Sequence, residues 1–181
     1  MPESDHLRGM VHHVYLTVAN VAASLPLYEC VLTFLGYERS NEDARGVDWE
    51  IGRLDGSFCS IGIKKSEARG RRRRHDRYSP GLHHLAWRAE SRADVDRLYA
   101  LLLRIGARIL DAPADYPRYG HGYYAVFWAD PDGLKLEYVH QDLKRARDFT
   151  LRYCPSARDL VYHAAIGYLG RPAPQSASVG G

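Results

Sequence analysis

Cysteine is scarce in this chain: Cys30, Cys59 and Cys154 are odd in number, scattered, and form no CxxC pair. That excludes a disulfide framework and a thiolate zinc knuckle as the organising device. A reducing cytoplasm is the compartment expected. Long apolar runs are also missing, and nothing approaches the roughly 20 residues that a membrane helix needs. The opening Met1-Pro2-Glu3-Ser4-Asp5 lacks the basic-then-apolar order of a secretory signal. A broad basic surface is absent too. The formal charge of +3 comes from one run, Lys64 to Tyr78, where eight Lys and Arg against Glu67 and Asp76 give +6. That run has no interleaved aromatics, so nucleic-acid binding is not expected. It reads as a solvated loop between folded halves, or as a device that steers acidic substrates.

What is present suits one globular unit: 181 residues, 45% hydrophobic and 26% charged. Val11–Val18 alternates as a strand, with His13, Tyr15 and Thr17 on one face and Val14, Leu16 and Val18 on the other. Asn20 is placed to cap a helix carrying Val21, Leu25, Tyr28, Leu32 and Leu35 at helical spacing, and Gly36 stops it. Strands follow near Val47–Leu54 and Phe58–Ile63, joined by Asp55-Gly56.

After the basic run the order begins again. Gly81–Arg88 is a strand with His84, Ala86 and Arg88 on one face. Ser91 and Asp94 open a helix whose stripe is Val95, Leu98, Leu101, Leu102 and Ile105, and Gly106 ends it. A strand near Arg108–Leu110 leads through a Pro-, Tyr- and Gly-rich loop to a final hairpin turned by Asp130-Pro131-Asp132-Gly133. His-His-Val-Tyr-Leu-Thr-Val at 12–18 lies over His-His-Leu-Ala-Trp-Arg-Ala at 83–89. Asp55-Gly56 lies over Asp132-Gly133, and four residues past each glycine stand Ser60 and Glu137. Each half reads β-α-β-β-β. One such half leaves a sheet face uncovered, and its twin is the economical cover. The expected fold class is therefore α+β, two βαβββ modules at about 9–64 and 80–140 flanking a basic loop at 65–79. A helical extension at 141–170, with a short helix in Arg158–Leu169, and a disordered tail at 171–181 follow.

Glu137 is a carboxylate in mid-strand, opposite the packing residues Leu136 and Tyr138. His13 and His84 begin equivalent strands and share its orientation. Two imidazoles and one carboxylate form a metal set with open positions for substrate, suited to Fe, Zn, Ni, Co or Mn. The plainer alternatives are ordinary strand histidines and an edge-strand charge. His12 and His83 fall on the opposite faces and are expected to be structural or exposed. Arg88, four residues along from His84, either grips an anionic substrate group or pairs with a neighbouring acid.

These motifs resemble the vicinal oxygen chelate superfamily, which includes glyoxalase I, the bleomycin-resistance proteins and the extradiol dioxygenases. The resemblance spans roughly residues 9–140. It rests on Gly-Leu-His-His-Leu-Ala-Trp, on Ser24 and Tyr28 after the first strand, and above all on Asp-Pro-Asp-Gly followed by Glu137. It implies sheets curled around a cavity in which His13, His84 and Glu137 hold one divalent metal ion, with Tyr15, Ser60 and Arg88 facing a small-molecule substrate. It further implies glyoxalase-type lyase or isomerase chemistry, with an extradiol-type Fe(II) dioxygenase or a non-catalytic ligand-binding protein as the alternatives. Glyoxalase I-like members use a fourth ligand, and here that position aligns with Ser60. His121 and Tyr124, with His75 from the loop, are the expected acid–base groups, His121 first because its flanking glycines allow close approach. An anionic substrate and a homodimer are the partners expected.

Overall fold

The computed structural model describes residues 11–52, 56–67 and 74–142. Asp55, the arginines at 69 and 71–73, the 158–169 helix and the 171–181 tail lie outside the described residues.

The first module runs β1 (His13–Val18), α1 (Val21–Phe34), β2 (Glu38–Asp43), β3 (Gly46–Gly52) and β4 (Phe58–Lys65). The second runs β5 (Leu85–Arg88), α2 (Arg92–Arg104), β6 (Arg108–Asp115), β7 (Tyr124–Ala129) and β8 (Lys135–His140), with a 3-10 turn at Pro117–Tyr119. Each module is one four-stranded mixed sheet, ordered β1-β4-β3-β2 and β5-β8-β7-β6. The first pair in each is parallel and the rest antiparallel. The helix crossover is what lets β1 meet β4, and β5 meet β8, in parallel.

Local chemistry sets the boundaries. The Asn20 side chain accepts from the Ala23 amide and the Ser91 side chain from the Asp94 amide, each satisfying an otherwise orphaned helix donor. Gly36 and Gly106 stand at φ +87° and +68°, a conformation that costs glycine little and so ends each helix cleanly. Pro26 sits in the second turn of α1 on its exposed side. Strand β2, Glu-Arg-Ser-Asn-Glu-Asp, is exposed throughout and carries no apolar alternation, which is why pattern reading passed over it. Strand β6 runs to Asp115, well past Leu110. Register shifts between Ile109 and Asp111 and between Asp111 and Ala114 break its period of two.

Both helices pack on their sheets around one apolar core. Val95, Leu98 and Leu102 of α2 and Val31 and Leu32 of α1 are buried with Trp49, Trp128, Leu136 and Tyr138. The modules interlock at the β7–β8 turn. Asp130 Oδ1 accepts from the Asp132 and Leu134 amides at 3.0 and 2.8 Å, shaping the turn. Its Oδ2 accepts from the Tyr28 hydroxyl of α1 at 2.8 Å, and Asp132 accepts from the Ala19 amide at 2.8 Å. The Asp-Pro-Asp-Gly turn therefore serves the packing of module on module as well as reversal of the chain. No helix among the described residues is long and apolar enough to cross a membrane.

Candidate functional site

Glu137 lies in the middle of β8, between Leu136 and Tyr138, which face the core. Alternation sends its side chain to the other face, with Phe127 opposite on β7 and Ala86 on β5. Its exposure is only 2%. A carboxylate so buried must have partners or become neutral. It has two. The Tyr123 hydroxyl donates to Oε1, and His84 Nε2 stands 3.2 Å from Oε2. Burial, and then the hydrogen bond and charge of Glu137, raise the Tyr123 pKa well above its ordinary value. Tyr123 thus stays a phenol and a donor at neutral pH.

His84 precedes β5 and is partly exposed. Its Nδ1 is 2.7 Å from Nδ1 of His83, so one imidazole donates to the other according to tautomer. Burial, followed by the charges of His84, Arg77 and Lys135, lowers the His83 pKa, which keeps that ring neutral near pH 7. His83 therefore orients His84 as a neutral ring. A buried carboxylate, a neutral neighbour fixing the far nitrogen, and a half-open imidazole are what a metal-binding His–carboxylate pair requires. Metal bonds of about 2.0–2.2 Å place two donors on one ion about 3 Å apart, which the His84–Glu137 spacing matches. As it stands, the pair is also a satisfied polar contact between imidazole and carboxylate.

His13 is exposed on β1, its Nδ1 3.1 Å from His12 Nδ1 and its ring 5.2 Å from that of Tyr15. Among the described residues no three His, Cys, Asp or Glu side chains are placed to hold a metal ion. The chain thus brings His84 and Glu137 together, and His13 does not join them within it.

Register refines the overlay of the two halves. Trp49 faces Ile61 as Trp128 faces Leu136, and Val14 meets Ile61 as Leu85 meets Leu136. His13 and His84 are therefore equivalent, but the counterpart of Glu137 is Gly62, two residues past Ser60. Counting from glycine slips because β3 and β4 pair for two further residues, Ile51 with Cys59 and Gly52 with Phe58, before they turn. Ser60 is buried and registered against His13. A Cβ at Gly62 would run into the Asp48 carboxylate and the Tyr15 ring. Asp48, the counterpart of Phe127, fills that space and pairs with Lys64 at 2.8 Å.

The expected acid–base groups are dispersed. The Tyr124 hydroxyl donates to Asp96 of α2 at 2.8 Å, with Arg92 4.0 Å above its ring. It is turned away from Glu137, and its neighbour Tyr123 takes the place expected of it. The signal was available: two-residue alternation back from buried Trp128 puts Tyr124 on the packing face and Tyr123 on the Glu137 face. His121 is exposed in the preceding turn. His75 Nε2 lies 2.8 Å from the Leu82 carbonyl and its amide donates to Asp132 O, so it holds the 74–82 loop in place. Arg88 is exposed and registered against Val139, beyond Glu137.

Residues 10–138 match the Glyoxalase/Bleomycin resistance protein/Dioxygenase superfamily. The Bacillus subtilis (strain 168) protein YqjT is 33% identical over 129 residues, covering 71% of this chain and 97% of its own. The crystal structure of a candidate glyoxalase from Bacillus halodurans is 31% identical, with a TM-score of 0.63, over 75% of this chain and 98% of that one. Lactoylglutathione lyase from Agrobacterium tumefaciens, at 18% identity and a TM-score of 0.52, shares the fold over 73% of this chain and 93% of its own.

Proposed function

The chain belongs to the Glyoxalase/Bleomycin resistance protein/Dioxygenase superfamily, and from that membership we propose a divalent-metal-dependent enzyme acting on a small oxygen-chelating substrate, with glyoxalase-type lyase or isomerase chemistry. The observation that carries this reading is His84 Nε2 standing 3.2 Å from the carboxylate of Glu137, which is buried in mid-strand. His84 and Glu137 would hold the ion, and the third donor would be His13 of a second copy. Support for a second copy comes from the first module's open face, where His13 is exposed beside Tyr15 at 55% and Phe58 at 43% exposure. Cytoplasmic residence suits Cys30 and Cys59, which are free thiols.

A divalent ion so held supplies Lewis-acid polarisation of vicinal substrate oxygens. The chain's own residues do the rest. Tyr123 keeps Glu137 Oε1 occupied and leaves Oε2 directed at His84. His83 fixes the His84 ring through its far nitrogen. Phe127 and Ala86 are the strand neighbours of the carboxylate on either side.

Elemental analysis of the protein purified without chelator, together with turnover of a hemithioacetal substrate, tests the proposal. About one ion per chain and metal-dependent turnover are expected. Turnover requiring dioxygen and iron would move the assignment to the dioxygenase branch. Because no three-donor set forms among the described residues, ligand binding without metal is the competing reading. A metal-free protein that holds ligand tightly would establish it.

A further inference from the structure

A cleft of about 990 Å³ opens at the end of the Glu137 face, where the 74–78 loop passes the β7–β8 turn and the α2–β6 link. Four cations line it: Arg74, Arg77, Arg108 and Lys135. Lys135 shares the Glu137 face of β8, half-buried, with Nζ 3.7 Å from the Phe127 ring centroid. Arg77 is also half-buried and spends one terminal nitrogen on the Tyr78 hydroxyl at 2.7 Å. Among the described residues neither has a carboxylate within ion-pair distance.

Three acids also line the cleft, and among the described residues none of them forms an ion pair with Lys135 or Arg77. Asp130 is held by Tyr28 and the turn amides, and Asp76 accepts from the Tyr78 amide and the Ser79 hydroxyl. These donors are all neutral, so both carboxylates keep their charge, and with Asp111 the cleft holds three acids against its four cations. Half-buried like charges left in this state repel one another and lose solvation, and an anion between them relieves both costs. Pro26, Leu27, Ile105 and Leu110 give the same cleft an apolar wall.

We infer that this cleft is an anion subsite in which Lys135 and Arg77 hold the carboxylate or phosphate group of a ligand with an apolar body. The guanidinium fork matches either group in two-point fashion, while the ammonium acts as a point charge beside it. Placed two residues from Glu137, the subsite makes the substrate of the proposed enzyme a small organic acid or phosphate ester. That last step rests on the metal-enzyme reading; the anion binding itself does not.

The test is calorimetric titration of the full chain, metal-free and at low salt, with inorganic phosphate and, separately, with succinate. One anion per chain is expected, and the tighter of the two identifies the group the site prefers. Lys135→Gln and Arg77→Gln should each weaken binding about tenfold, the loss of one charge-assisted contact. Arg104→Gln, which removes an exposed charge at the end of α2, should leave it unchanged. Should Lys135→Gln fail to fold, Arg77→Gln on the loop carries the test. The inference is overturned if the parent takes up neither anion at about 10 mM, well above the usual range of substrate affinities, or if both variants bind like the parent. His84→Ala separates the two ideas. Anion binding that survives loss of metal supports the subsite, and metal binding without anion binding overturns the subsite alone.

Discussion

Glu137 owes its burial to two partners, and each can be removed singly. Tyr123→Phe takes the donor from Oε1 and frees the carboxylate to rotate. Metal affinity should fall about 10- to 100-fold, the usual cost of losing a group that orients a ligand, with the circular dichroism unchanged. Tyr124→Phe, whose hydroxyl serves Asp96, should bind metal like the parent in the same titration. Equal losses from both variants would contradict the assignment of Tyr123. At this scale the sequence was legible where period two holds. Alternation puts Glu137 opposite the core residues of β8 and distinguishes Tyr123 from Tyr124, whereas His84 lies ahead of β5 with its ring against that of His83, outside the strand expected from Gly81. What alternation cannot supply is distance, so the separation of His13 from the His84–Glu137 pair was not readable from the chain. Nor was the slip between Ser60 and Gly62, because hairpin length is decided by pairing partners and not by the glycine in the turn.

The elements depend on buried apolar stripes and a few polar joints. Leu98 of α2 is fully buried, and Leu98→Ala should cost about 2–5 kcal/mol in denaturant unfolding. Asp94 joins α2 to β8 through the Tyr138 hydroxyl and pairs with Arg97 at 2.7 Å. Burial works against its ionised form, but Tyr138, the Glu90 amide and Arg97 outweigh burial and hold its pKa below the ordinary value. A folded pKa below the unfolded one of about 3.9 means that ionised Asp94 stabilises the fold at neutral pH. That contribution is lost as pH falls from the unfolded pKa through the folded one. Asp94→Asn should therefore melt below the parent at neutral pH, and the gap should close as the pH drops below about 4. A gap that persists or widens in acid would mean that the carboxylate's charge is not what matters. The helices were legible because capping and a 3.6-residue stripe are local signals. The exposed β2 and the bulged β6 were not, since one pairs without burying a face and the other breaks its own period.

The described residues form a duplicated module joined at the turn that precedes Glu137. Tyr28→Phe removes the hydroxyl that Asp130 accepts across the two modules, leaving a buried carboxylate short of a partner. A loss of about 1–3 kcal/mol is expected by thermal unfolding. If two copies share the site, mixing His13→Ala with His84→Ala chains under exchanging conditions should restore metal binding to about half the sites of the mixed dimers. Separately each variant should bind none, and a monomer by sizing that still binds metal would oppose the shared arrangement. The central claim is that His84 and Glu137 are metal donors, and titration of the native chain with Co(II), followed by absorption, reaches it most directly. The account predicts about one ion per chain in the parent and no uptake by His84→Ala or Glu137→Gln, both still folded. Uptake by those variants equal to the parent, or none by the parent at millimolar cobalt, would contradict it.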